Sequence, residues 1–280
     1  MPSPGWQAGD VMDYRSGLAV TTQRPPDATD DTPLVVLVHG SLDRSASFGR
    51  VMRRLTDVIV VTYDRRGYHR SRQALPLNTT LDGHVDDLLT VIDGRPAVVV
   101  GHSYGGDIAL AAAEREGPSG TVTSVGAFEP PVPWLDLWST RGASSSPPGL
   151  GDDPALAAER FFRRIVGDDG WEHLPERTKQ ERRADGAALV TELAAIRSGP
   201  PPFDVSMLGV PVLYGRGERS RPHQRGGATW LAEHTPGAEI VEIAGATHGA
   251  HLTHPDAFAD FVRRAVDRRA RRGLPVRAPS

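Results

Sequence analysis

Short valine-rich runs, each closing on turn residues, recur along the chain: "PLVVLVHG" (33–40), "DVIVVTYD" (57–64), "AVVVGHS" (97–103), "TSVGAFEP" (123–130), "VPVLYG" (210–215) and "AEIVEIAG" (238–245). Their apolar character is continuous rather than alternating, which predicts strands buried on both faces, as in a parallel sheet covered by helices. Helical patterns separate most of them, at 45–55, 80–93, 105–116 and 255–272. Strand and helix in alternation predict a doubly wound α/β fold.

The alternation stops between Pro130 and Val205. This stretch opens on "PPVPWLDLW", passes through "TRGASSSPPGLGDDP" (140–154), and then turns helical, with Asp153 placed as N-cap and Pro154 at the first helical position. A second helix is predicted over 177–197, stopped by the prolines of "SGPPP". The division expected is a core formed by 1–129 and 206–280, with 130–205 inserted as a helical lid over the sheet edge where α/β folds bind ligands. Its aromatic residues, Trp134, Trp138, Phe161, Phe162 and Trp171, either line a pocket or pack the lid, and packing is the plainer expectation for any one of them.

Composition narrows the partners. Across 280 residues the formal net charge is -3, which gives no positive field to attract nucleic acid or anionic lipid. There is no cysteine, so neither disulfides, thiolate metal sites nor a cysteine nucleophile enter the reading. The first residues lack the basic and apolar regions of a secretory signal, and no apolar run is long enough to span a bilayer. A cytoplasmic protein is expected, and its dominance of arginine, with Lys179 as the single lysine, points to a GC-rich bacterial genome. The partner expected is a small-molecule substrate, with no nucleic acid and no membrane; a homodimer is compatible.

Chemistry concentrates in "AVVVGHSYGGDIAL". The GxSxG pattern follows four apolar strand residues and opens a helical run, the context in which the motif has meaning. Gly101 and Gly105 relieve a sharp strand-to-helix bend that exposes Ser103 at the strand's carboxyl end, and the amide of Tyr104 starts the helix facing the space where an oxyanion would form. A serine hydroxyl needs a base. His248 follows the last predicted strand and precedes the last helix, where the order serine, acid, histidine places it; His251 and His254 are its rivals. The amide of Ser41, after "LVVLVHG", is the second oxyanion candidate, with His39 bracing that loop.

Together "VLVHGS" (36–41), "VVTYDRRGYHRS" (60–71), "VVVGHSYGG" (98–106) and "IAGATHGAHL" (243–252) resemble, in order, the oxyanion loop, arginine-glycine turn, nucleophile elbow and histidine loop of the α/β-hydrolase superfamily. The resemblance spans about Leu34 to Ala270, departing at His69, where a second glycine is usual. It implies a sheet of eight mostly parallel strands, no metal and no organic cofactor. Relatives that attack with an aspartate, such as dehalogenases and epoxide hydrolases, differ at the elbow, where this chain has Ser103.

The acid is the open position. The family spacing after "VPVLYGRG" falls on Ser220, and a shorter count falls on Glu218. The alternative is Glu129 at the end of the preceding strand, just before "PPVPW", an arrangement similar to that of some haloalkane dehalogenases. It is preferred here on that resemblance, which geometry permits because the acid needs only to reach one nitrogen of His248; Glu218 stands second, and a dyad lacking any acid is the remaining case. The expected activity is cleavage of a small to medium, largely apolar ester through an acyl-enzyme. Carbon-carbon hydrolysis, lyase or perhydrolase chemistry is the alternative, and a ligand-binding pseudoenzyme is a further one.

Overall fold

A computed structural model of the chain describes residues 11–77, 79–136, 151, 153–197 and 200–270. Trp138 and most of the 140–154 run lie outside them. Strands β1 (Val11–Arg15), β2 (Leu18–Gln23), β3 (Leu34–Val38), β4 (Ile59–Tyr63), β5 (Ala97–His102), β6 (Val122–Phe128), β7 (Val212–Gly217) and β8 (Glu239–Ile243) form one sheet in the order β1-β2-β4-β3-β5-β6-β7-β8. The first two strands join antiparallel, and all other neighbours are parallel.

The continuous apolar runs have a simple cause. Successive side chains of a strand point to opposite faces. Leu34, Val36 and Val38 of β3 therefore pack into one core, with Ala97 and Val99 of β5, while Val35, Leu37, Val98 and Val100 pack into the other. The first core is closed by α2 (Leu81–Ile92), α3 (Tyr104–Glu116) and α7 (Pro222–His234); the second by the short α1 (Gly49–Met52) and α8 (Ala250–Thr253) with α9 (Pro255–Ala270). Burying one such valine contributes about 1.5–3 kcal/mol, so a central strand apolar on both sides is strongly fixed.

Some elements depart from the sequence pattern. The hairpin β1–β2 lies at the sheet edge with Met12 and Tyr14 exposed, and turns through Ser16 and Gly17, both at positive φ, the geometry a two-residue hairpin needs. Strand β8, expected to be buried on both faces, is the opposite edge and is largely exposed. The helix expected over 45–55 is a 3-10 turn, Ser45–Phe48, running into α1.

Between β6 and β7 the chain forms α4 (Pro154–Glu172), α5 (Glu176–Ala184) and α6 (Gly186–Arg197). Asp153 caps α4 by accepting from the amides of Ala155 and Leu156, and Gly167 kinks the helix at φ 80°. The single helix expected over 177–197 is two. Its break is tertiary: a Cβ on Gly186 would stand 1.9 Å from the carbonyl oxygen of Pro154. At the same turn the buried Asp185 accepts from the His69 amide at 3.1 Å and from Arg72 at 2.6 Å. A small apolar cluster, Leu42, Tyr68, Ala158, Ala188, Leu189 and Leu193, seats the insertion on the core.

Gly186→Ala is therefore expected to lower stability by about 1–3 kcal/mol in urea denaturation and to speed proteolysis within the insertion. Gly237→Ala is no control, because φ there is positive; Gly249→Ala, with no atom of the described residues within 4 Å of its Cβ, is the control and should stay within about 0.5 kcal/mol of the parent.

Candidate active site

Ser103 stands between β5 and α3 at φ 53°, ψ −129°, a conformation rarely adopted by a residue with a side chain. Crowding explains it. A Cβ on Gly101 would lie 2.0 Å from the Gly105 carbonyl oxygen, and one on Gly105 would lie 2.1 Å from that of Val38. The turn is pinned by the Ser103 amide donating to Phe128 O at 2.9 Å and by Gly106 N donating to Ser103 O at 2.7 Å. Tyr104 begins α3, so its amide is one of the helix's unpaired N-terminal donors.

Glu129 follows β6 at φ 47°, and its side chain is fully buried. Its backbone amide donates to Gly215 O at 2.9 Å, continuing the β6–β7 ladder one residue beyond Phe128. One carboxylate oxygen, Oε1, accepts from the Gly217 amide at 2.7 Å, and the other, Oε2, lies 2.7 Å from Nδ1 of His248. The structure thus brings together Glu129 and His248 from segments 119 residues apart. Glu218 points elsewhere: it is exposed, and Oε2 accepts from the Gly245 amide at 2.7 Å, bracing the turn after β8. Ser220, at the usual acid spacing, is buried and its hydroxyl has no hydrogen-bond partner.

The rival histidines have other contacts. His254 opens α9, its carbonyl accepting from the Phe258 amide, while its Nδ1 meets the Thr253 hydroxyl. His251 is buried, with Nε2 3.4 Å from Asp43 Oδ2. His102 donates through Nε2 to the His248 carbonyl at 2.7 Å, tying the elbow to the His248 loop. Asp43, His102 and His251 bring donor atoms within 4.8 Å of one another, the one group of metal-ligand type among the described residues. Both rings pack against phenylalanines, His102 on Phe128 and His251 on Phe48 and Phe258, so we read the group as aromatic core with one histidine–carboxylate contact.

Over the elbow runs the loop after β3. A Cβ on Gly40 would stand 2.9 Å from that of Ser103, so this backbone passes directly above the serine. His39 is fully buried; Nδ1 donates to Gly40 O at 2.8 Å and Nε2 accepts from the Arg65 amide at 2.9 Å. This uses both ring nitrogens in the neutral form and leaves the ring a brace. Arg65 adds Nε to His39 O at 2.9 Å and Nη2 to Gly40 O at 3.0 Å. Its charge is met by Glu192 on α6, Nη1 to Oε1 at 2.5 Å, both side chains fully buried. Burial opposes that carboxylate's charge, but Arg65 and His84 outweigh it and hold Glu192 at about 2. Glu192 Oε2 in turn accepts from the hydroxyl of Ser41 at 2.8 Å.

Glu192 and Arg65 were not anticipated from the sequence. One signal was present: a lone carboxylate inside the apolar run "LVTELAAI" is seldom buried unless paired. Among the insertion's aromatic residues, Trp171 is buried against Phe162, while Trp134 packs edge-on to Phe203. Trp134 and Phe203 line a groove of about 460 Å³ together with Trp230, and the groove shares no residue with the Ser103 site.

An eight-stranded sheet in this order, with a serine on a strained turn at the end of β5 and a carboxylate-paired histidine in the loop after β8, is the arrangement of an α/β hydrolase. The profile of the "Alpha/beta hydrolase family" matches residues 35–261, and the chain belongs to that family. It is similar to "Uncharacterized hydrolase YraK" of Bacillus subtilis, 40% identical over 83 residues, and to "Lipase LipV" of Mycobacterium tuberculosis, 33% identical over 79. Those matches span 28% and 27% of this chain and only 31% and 30% of the relatives' own length. Across nearly the whole fold it resembles the enol-lactonase of Burkholderia xenovorans LB400, with TM-score 0.67, 19% identity, and coverage of 92% of this chain and 100% of that one. None of the helices among the described residues is long and apolar enough to cross a membrane.

The buried rings set a pH dependence. Burial, then Arg65, lowers His39 from 6.5 to about 4, and burial with the same cation lowers His84. Burial and the neighbouring rings of His251 and His248 lower His102 as well. A depressed histidine means the unfolded chain binds more protons between the two values, so its contribution is whole above pH 6.5 and is lost toward pH 4. For His39 alone this is roughly 3 kcal/mol. Urea denaturation at stepped pH is expected to show stability declining from about pH 6.5, with a shallower slope in His39→Asn. Equal slopes in the two proteins would contradict a neutral buried ring.

Proposed function

We propose that the chain is a serine hydrolase cleaving small to medium, largely apolar esters through an acyl-enzyme. The observation that carries this reading is the 2.7 Å contact of Glu129 with His248 Nδ1, on a loop tied to the elbow through His102 Nε2 and the His248 carbonyl at 2.7 Å, with Ser103 held on that strained elbow. With Nδ1 committed to the carboxylate, Nε2 is the nitrogen left to take the Ser103 proton. The hydroxyl oxygen attacks the acyl carbon, and the amides of Ser41 and Tyr104 hold the developing oxyanion. His248 then returns the proton to the leaving alcohol. Water, activated by the same ring, releases the acid and restores the serine.

Glu129 holds the ring in one tautomer and offsets the imidazolium charge during each transfer. The helical insertion acts as a lid that covers the carboxyl ends of the strands and excludes water. An ester is favoured over the alternative chemistries because a lipase and an enol-lactonase are among the proteins this chain resembles, and both names denote action on ester bonds.

A fluorophosphonate is expected to add its mass to Ser103 and to nothing in Ser103→Ala. Glu129→Gln should lower kcat for a p-nitrophenyl ester by about a thousandfold with its melting transition retained. Glu218→Gln should keep the parent rate. Near-parent turnover in Glu129→Gln with loss in Glu218→Gln would reverse the assignment of the acid.

A further inference from the structure

The oxyanion loop and the inserted helix α6 share one buried network. Glu192 uses both carboxylate oxygens. Its Oε1 meets Arg65 Nη1 at 2.5 Å and His84 Nε2 at 3.0 Å, while Oε2 accepts from the Ser41 hydroxyl at 2.8 Å and from Arg65 Nη2 at 3.3 Å. An anchor for the insertion alone would need only the guanidinium. Here Arg65 also spends Nε and Nη2 on the carbonyls of His39 and Gly40, the two residues before Ser41.

Peptide geometry turns these contacts into a direction. In a planar trans peptide the carbonyl and the following N–H point opposite ways. The only cis peptide bond among the described residues is Leu75–Pro76, so the Gly40–Ser41 unit is trans. Its carbonyl is held toward Arg65 Nη2 at 3.0 Å and His39 Nδ1 at 2.8 Å, which turns the Ser41 N–H away from them. The loop carrying that N–H passes directly above Ser103.

We propose that Glu192 is a positioning residue for the oxyanion-binding amide of Ser41, acting through Arg65 and through the Ser41 hydroxyl. Helix α6 is then a fixed part of the site, and the insertion contributes to the chemical step as well as to covering the substrate. Among the described residues Glu192 makes no hydrogen bond to Ser103 or His248; its direct links run to the loop through Ser41 and Arg65, and Arg65 also lies 5.2 Å from the centre of the Tyr104 ring. This inference rests on the serine-hydrolase reading, in which Ser41 supplies one of the two oxyanion donors.

Three variants and two readouts test it. Ser41→Ala keeps the backbone amide and the Arg65–Glu192 pair, and removes only the side-chain link. Glu192→Gln keeps acceptor and shape but loses the charge; Glu192→Ala loses everything. On a p-nitrophenyl ester, kcat is expected to fall about tenfold in Ser41→Ala and in Glu192→Gln, and further in Glu192→Ala, with KM within about twofold of the parent. Hydrogen exchange followed by mass spectrometry should quicken in the peptide covering 39–42 while that of α9 is unchanged. Should Glu192→Gln fail to fold, Ser41→Ala decides. Folded variants with parent kcat and parent exchange, or with a change confined to KM, would overturn the positioning role and leave the hydrolase intact. A parent protein that neither turns over the ester nor takes the fluorophosphonate label would sink both readings.

Discussion

Backbone crowding at the end of β5 is the constraint on which the site depends. With Gly101 packed on Gly105 and Gly105 on Val38, no Cβ fits at either position, and the residue between is driven to positive φ. Such a conformation costs about 1–3 kcal/mol and persists only where the surroundings over-determine it. The surroundings here are the centre of the sheet. Strand β5 pairs with β3 and β6, and its residues Ala97 to Val100 are fully buried. The best-anchored strand thus carries the strain, and the segments leaving its two neighbours, at Gly40 and Glu129, are what converge on the serine.

A second constraint is electrostatic. Arg65 and Glu192 are both without solvent contact, and each alone would cost several kcal/mol to bury. They are tolerable only together, with the carbonyls of His39 and Gly40 taking the remaining guanidinium donors. The insertion must therefore dock for the core loop to be satisfied, and the loop must be formed for the insertion to dock. Asp185 makes a second such tie to Arg72 and the His69 amide. By contrast, the pairs binding α4 to α5, Lys179 with Glu172 and Arg183 with Glu159, are partly exposed, where an ion pair contributes little. Within the insertion, the inner helix is tied by buried charge and the outer two mainly by packing around Trp171.

What could be read from the sequence follows the same division. Strands β3 to β7 were legible because burial on both faces leaves an unbroken apolar run. The β1–β2 hairpin was not, because an edge strand alternates and its outward residues are free to be Met12 or Tyr14. The division of α5 from α6 left only a weak mark, the Asp185–Gly186 dipeptide, which a helix can tolerate; the approach of Pro154 O to Gly186 is what requires the glycine. Near the elbow, motif and chain order pointed to Ser103 and His248, while Glu129 was preferred over Glu218 on a family resemblance; the structure places Glu129 against His248. The Arg65–Glu192 pair joins residues 127 apart and obeys no local period, so only the fold reveals it.

Which carboxylate meets His248 follows from what β7 offers at its end. Ser220 has a neutral hydroxyl and no carboxylate, and that hydroxyl has no partner among the described residues. Glu218 is drawn outward to the Gly245 amide. What β7 does supply is the Gly217 N–H, and Glu129 takes it with one oxygen while meeting His248 with the other. The backbone amide fixes the rotation of the carboxylate, so the oxygen facing the imidazole cannot swing away without breaking a buried hydrogen bond, at a cost of about 1–3 kcal/mol. A carboxylate from β6 in place of one from β7 thus keeps β7 beside His248 as a backbone donor. It also joins the entrance of the insertion to His248, because Glu129 is the last residue before Pro130.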